Sequence, residues 1–116
     1  MSDIIDLKDG LERVQDDKEL LLELFDIFTE DFQGKYPQMK AALAQGNAVA
    51  FQMLAHGFKG ATGNISARRM HETSIELDAL SKAGDLSKVG PLVDLLWKQF
   101  EEFRVESVRL KKELGK

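Results

Sequence analysis

The chain has 116 residues, 43% of them hydrophobic and 31% charged, and a formal net charge of −4 at pH 7. This length and apolar content predict one globular domain spanning residues 1–116, and the lack of cysteine excludes disulfides, thiol catalysis and thiolate metal sites. The acidic balance argues against nucleic-acid binding, and the short apolar runs argue against a signal peptide or membrane span, so a cytoplasmic location is expected.

The first half of the chain predicts helices. A short first helix is expected over residues 3–14, and residues 15–17 interrupt it with N-cap candidates. A second helix is predicted over residues 18–33, with a clean stripe of leucine and phenylalanine. Gly34 and Pro37 are predicted to bend or break this helix, after which a helical pattern continues to residue 45.

Three more helices are predicted in the second half. One runs from residue 48 to 63 or 64, one over 67–82 with Ser66 as its N-cap, and one from near Pro91 to Leu114. Four long amphipathic helices with short connections predict an all-α, antiparallel, up-down-up-down four-helix bundle with a short additional N-terminal helix. One apolar stripe per helix closes one bundle, so a monomer is expected.

The third helix carries a histidine that its own apolar stripe turns outward. The stripe is spaced by three and four residues and consists of Phe51, Leu54, Phe58, Ala61 and Ile65. His56 lies about 200° round the helix from Leu54, so it points away from the core. Gln52, Lys59 and Gly60 fall on the same outer face, as does Gly63.

The glycines of this helix are unexpected, because a glycine in a helix interior costs about 1 kcal/mol relative to alanine. Gly60 and Gly63 lie one and two turns after His56, where side chains would crowd the imidazole. Close packing of a neighbouring helix is a poor explanation, since both glycines are predicted to face away from the apolar stripe. We therefore expect a bulky partner to approach His56.

The segment Ala55-His56-x-x-Lys59-Gly60-x-x-Gly63-Asn64-Ile65 resembles the signature of histidine-containing phosphotransfer (HPt) domains of bacterial multistep phosphorelays. The resemblance extends over nearly the whole chain, from the opening at residues 10–14 to Leu77-Asp78. Two positions depart from the family pattern. Ser66 stands where glycine is common, and Asp78 is shorter than the usual Glu or Gln.

The resemblance implies a phosphocarrier. His56 would accept a phosphoryl group on one ring nitrogen from the aspartyl phosphate of a receiver domain and pass it to the aspartate of another receiver. Lys59 would neutralise phosphoryl charge, Gly60 and Gly63 would leave clearance, and Asp78 would orient the imidazole through its other nitrogen. The receiver would supply Mg²⁺, while this chain would bind neither metal nor ATP and would have no kinase or ATPase activity.

Two other functions stay open. The chain could be the phosphoaccepting domain of a chemotaxis-type histidine kinase, or an adaptor bundle that binds receivers without phosphotransfer. The expected partners are response-regulator receiver domains, including those of a hybrid histidine kinase. His71 is predicted to be an ordinary surface residue, and Ile75, off the core stripe, either lines a partner surface or marks a small error in helix phase.

Overall fold

A computed structural model describes residues 4–115, which contain helices and no strand. The helices are α1 (Leu7–Arg13), α2 (Lys18–Ala44), α3 (Ala48–Asn64), α4 (Arg68–Lys82) and α5 (Gly90–Leu114). Helices α2 to α5 form a closed ring of neighbours, in which α5 packs back against α2. The prediction of an antiparallel four-helix bundle with a short N-terminal helix is confirmed. Within residues 4–115, no helix combines the length and apolar character that crossing a bilayer requires.

Helix α1 closes one end of the bundle. It begins after Asp6, whose carboxylate accepts the Asp9 N–H at 3.1 Å as an N-cap. The Asp6 N–H donates to the carbonyl of Ser66 at 2.9 Å, which ties α1 to the connection between α3 and α4. The helix is shorter than predicted, and the predicted start at residue 3 lies outside the described residues. Asp17, one of the predicted N-cap candidates, caps α2 by accepting the Leu20 N–H.

Helix α2 runs through Gly34 and Pro37 as one helix of 27 residues, so the predicted break is wrong. A proline inside a helix costs about 3 kcal/mol or more, because it removes one backbone hydrogen bond and crowds the preceding turn. Tertiary contacts outweigh that cost here. Tyr36 and Met39 flank the proline and are buried, and the Tyr36 hydroxyl donates to the carbonyl of Val93 on α5 at 3.0 Å.

The core is aromatic, and Phe32 of α2 lies at its centre. Its ring centroid is 4.4 Å from that of Phe100 on α5 and 4.7 Å from that of Phe58 on α3. Fully burying such a side chain stabilises the fold by about 1.5–3 kcal/mol. Because Phe58 is part of this cluster, the core packs against the side of α3 that lies opposite its polar face.

The start of α4 differs from the prediction. Ala67 is the N-cap and makes no side-chain capping bond, whereas Ser66 takes a left-handed φ of 57°. Its hydroxyl instead donates to Asp9 Oδ2 at 2.6 Å. Ser66 is therefore not the N-cap that the sequence predicted. A left-handed φ suits glycine best, so serine at this position holds a backbone conformation that a side chain disfavours.

Candidate functional site

The site is built on the outward face of α3. Asn47 starts the helix by accepting the Ala50 N–H at 3.0 Å, and Phe51, Ala55 and Phe58 are buried against the core. His56 consequently points outward, with its side chain 62% exposed. The predicted direction of the imidazole is confirmed.

A buried carboxylate on α4 lies beneath the histidine. Asp78 is only 2% exposed, yet both of its oxygens are paired. Oδ1 accepts a hydrogen bond from Gln52 Nε2 at 2.9 Å, and Oδ2 contacts Lys59 Nζ and Lys82 Nζ, each at 3.2 Å. Asp78 thus links Gln52 and Lys59 of α3 to Lys82 of its own helix, α4.

These partners decide the charge of Asp78. Burial raises the pKa of the carboxyl, but hydrogen bonds from Gln52, Lys59 and Lys82 outweigh it and lower the pKa to about 2. The carboxylate is therefore ionised at neutral pH. The buried carboxylate is thus compensated by two lysines whose own side chains are 36% and 56% exposed.

The structure brings Asp78 beside the histidine ring despite its short side chain. His56 Nδ1 lies 3.7 Å from Asp78 Oδ1, which is longer than a hydrogen bond and within reach of an ion pair when the ring is protonated. The Gln52 amide holds that same oxygen in place. A small movement of the imidazole would complete a bond from Nδ1–H to the carboxylate.

Lys59 is positioned by α4 as well as by its own helix. It follows His56 by three residues, so it lies on the same face of α3. Its ammonium is held by Asp78 Oδ2 and does not extend freely into water. The sequence identified Lys59 as a site residue but not this attachment.

The two glycines that were predicted to clear the site behave differently. A Cβ added at Gly60 would meet no heavy atom within 4 Å, so the space beside His56 is open there. A Cβ added at Gly63 would lie 3.0 Å from Cε1 of His71 on α4. The predicted direction of Gly63 is therefore wrong. Its missing side chain makes room for α4, because α4 covers a flank of α3 that the apolar stripe of α3 alone does not indicate.

His71 is not the ordinary surface residue that was predicted. Its half-buried ring packs on Gly63, and Nδ1 donates to the carbonyl of Lys59 at 2.9 Å. Since a carbonyl only accepts, Nδ1 carries the hydrogen. This bond anchors the turn of α3 that carries Lys59. No group of three or more His, Cys, Asp or Glu side chains within residues 4–115 is placed to hold a metal ion.

Exposed apolar side chains border the histidine. Val49 and Met53 are 73% and 68% exposed and precede His56 on the same face of α3. Ile75 is also exposed and precedes Asp78 by three residues on α4. We call Val49, Met53 and Ile75 the apolar rim. The sequence had indicated only Ile75, as a residue off the core stripe.

The chain is similar to known proteins in sequence and in fold. A family model described as the Hpt domain matches residues 23–114. The fold is similar to that of histidine-containing phosphotransfer protein B (HptB) from Pseudomonas aeruginosa PAO1, at 22% identity and a TM-score of 0.88, covering 97% of this chain and 98% of that one. It is also similar to the HPT domain of an Hpt sensor hybrid histidine kinase from Shewanella, at 13% identity and a TM-score of 0.84, with 97% of each chain covered. No curated protein matched the chain.

Proposed function

The chain belongs to the Hpt family of histidine phosphotransfer domains of phosphorelays, and from that membership we propose that His56 is its phosphoryl carrier. His56 takes the phosphoryl group from the aspartyl phosphate of one receiver domain and gives it to the aspartate of another. The observation that carries the proposal is an exposed imidazole whose Nδ1 lies 3.7 Å from a buried, ionised carboxylate.

The arrangement supports Nε2 as the attacking atom. With Nδ1–H turned towards Asp78, the neutral ring has its lone pair on Nε2. That lone pair forms the N–P bond, the bond between phosphorus and the aspartyl oxygen breaks, and the receiver carboxylate leaves with the electron pair. The ring keeps the proton on Nδ1 and becomes cationic, and the neighbouring Asp78 carboxylate offsets that charge. Onward transfer reverses these steps on a second receiver.

Lys59 and Gly60 serve the phosphoryl group in this proposal. The Lys59 ammonium turns from Asp78 to a phosphoryl oxygen and offsets negative charge, which is the main requirement of phosphoryl transfer besides positioning. The open space beside Gly60 admits the receiver loops. The receiver supplies the aspartate and the Mg²⁺. Removing Mg²⁺ with EDTA should therefore stop transfer without changing the melting temperature of the isolated chain.

The proposed partners are response-regulator receiver domains, free or attached to a hybrid histidine kinase. The apolar rim supports this proposal because its three side chains are grouped on the two helices that carry His56 and Asp78, and grouped exposed apolar side chains are typical of protein interaction sites. Val49 and Met53 lie on one side of the imidazole along α3, and Ile75 lies on α4. Contact with the rim would exclude water from the transferring phosphoryl group.

The test is transfer from a radiolabelled phospho-receiver to this chain. We expect label on His56 that is stable in base and labile in acid, and we expect His56→Gln to remove it. His71→Gln is the matched control, because His71 is the second of the two histidines and should leave the label in place. Label that persists in His56→Gln would overturn the assignment.

A second arm distinguishes the donor. The chain is mixed separately with a phospho-receiver and with an ATP-loaded kinase domain of the chemotaxis type. Faster labelling by the receiver supports the relay proposal, whereas efficient labelling by the kinase domain alone would make the chain a kinase substrate domain.

A further inference from the structure

Two ammonium groups share one oxygen of Asp78. Lys59 Nζ and Lys82 Nζ each lie 3.2 Å from Oδ2, while Gln52 holds Oδ1. Lys82 is one turn beyond Asp78 on α4, and its side chain is 56% exposed. The family signature in this sequence includes neither Gln52 nor Lys82.

The pairing of Asp78 with two lysines matters because, in the proposed function, Lys59 must move from Asp78 to the phosphoryl group. Asp78 is almost completely buried, and a buried carboxylate that loses its counter-ion is strongly disfavoured. If Lys59 were the single counter-ion, the attraction of Asp78 would oppose its movement to the phosphoryl group. A second cation on the same oxygen removes that opposition.

We propose that Lys82 is a positioning residue for phosphotransfer, which keeps Asp78 compensated while Lys59 turns to the phosphoryl group. Gln52 keeps the other oxygen of Asp78 beside His56 during the same step. The inference rests on the proposed function, since it presupposes that the phosphoryl group is carried on His56.

The placement of the two lysines assigns these different roles. Lys59 shares the face of α3 with His56 and follows it by less than one turn, so its ammonium is the one that can follow the phosphoryl group. Lys82 stands in the last turn of α4, where a cation is favoured by the helix dipole. Lys82 therefore stays with Asp78 when Lys59 moves.

The first measurement is the rate constant of transfer from a phospho-receiver to Lys82→Gln. We expect a loss of about tenfold, since Lys59 is then retained by Asp78, with receiver affinity unchanged. Lys82→Arg keeps the ion pair and should stay within about twofold of wild type. Lys112→Gln, an exposed lysine near the end of α5, makes the same charge change and should have no effect.

The second measurement repeats Lys82→Gln in a Lys59→Gln background. We expect almost no further loss of rate, because Lys82 acts by letting Lys59 move, and Lys59 is absent in this background. An equal loss in both backgrounds would show that Lys82 acts on the phosphoryl group directly and would overturn the inference. An unchanged rate in Lys82→Gln alone, or a rate in Lys82→Arg as low as in Lys82→Gln, would also overturn it. The wild-type chain and His56→Gln report on the proposed function separately, so the two failures are distinguishable.

Discussion

The side of the bundle between α2 and α5 and the side between α3 and α4 are filled in different ways. Aromatic rings fill the first, where Phe28 and Phe103 meet edge to face with centroids 5.2 Å apart. Small and hydroxyl-bearing residues fill the second, where the backbones of α3 and α4 approach each other along more of their length than those of any other helix pair in residues 4–115. There the buried hydroxyls of Thr62, Ser74 and Ser81 each donate to a carbonyl four residues earlier in the same helix.

The difference shows how one small bundle separates stability from chemistry. Large rings bury much apolar surface and hold α2 and α5 firmly. Small residues let α4 approach α3 so closely that Asp78 reaches the site on the neighbouring helix despite its short side chain. Substitutions on the aromatic side should therefore change stability with little effect on transfer, whereas substitutions on the α3–α4 side should change transfer and, at the buried Asp78, stability as well.

The largest expected effect on stability is that of Phe32→Ala. Phe32 is fully buried against rings of three helices, so its loss should reduce the free energy of unfolding by about 3–5 kcal/mol. Urea denaturation followed by circular dichroism measures this change. Phe32→Leu leaves a smaller cavity and should cost less. The transfer rate of the folded fraction at low temperature should stay within about twofold of wild type. A large fall in that rate would contradict the view that the aromatic side affects stability and not transfer.

Asp78→Asn should reduce the free energy of unfolding at pH 7 by about 2–3 kcal/mol, because the lowering of the Asp78 pKa from 3.8 to about 2 corresponds to roughly that amount. A carboxyl with a lowered folded-state pKa contributes its stability above the unfolded pKa. The contribution is lost as pH falls from about 4 towards 2. The difference between wild type and variant should therefore shrink over that pH window.

The control for this pH series is Asp26→Asn. Asp26 is exposed and pairs with Lys111 at 3.5 Å, so the change should cost less than about 1 kcal/mol. A wild-type advantage over Asp78→Asn that persists unchanged at pH 2 would contradict the role of the ionised carboxylate.

A smaller effect on stability than that of Asp78→Asn, and of opposite sign, is expected from a matched pair of glycines. Gly60→Ala and Gly34→Ala both place a Cβ in open space within a helix, so each should stabilise the fold by about 1 kcal/mol. Only Gly60→Ala, beside His56, should also slow transfer from a phospho-receiver. Thermal unfolding and transfer kinetics on both variants test this. Equal transfer rates would mean that clearance at Gly60 does not matter.

Sequence reasoning identified the helices and the outward histidine because both depend on local periodicity. The helical limits of α3 and the direction of His56 follow from the spacing of Phe51, Phe58 and their neighbours, and both predictions are confirmed. The prediction of a break at Pro37 is wrong, because buried contacts on either side of the proline outweigh the local tendency of proline to end a helix. The prediction that Ser66 caps α4 is wrong, because its hydroxyl donates a hydrogen bond to Asp9, which is distant in the sequence.

The sequence by itself determined the helical bundle and the outward direction of the imidazole, since helix phase repeats every 3.6 residues whatever surrounds it. The Hpt family was indicated by the motif around His56 and is shown by the family model that matches residues 23–114. Only the tertiary structure decided the surroundings of that imidazole. Lys82 and Gln52 meet at Asp78, and His71 meets Gly63, because α4 packs closely along α3. The distance and rotation between two helices depend on all the side chains between them, and no pattern within one helix contains that information.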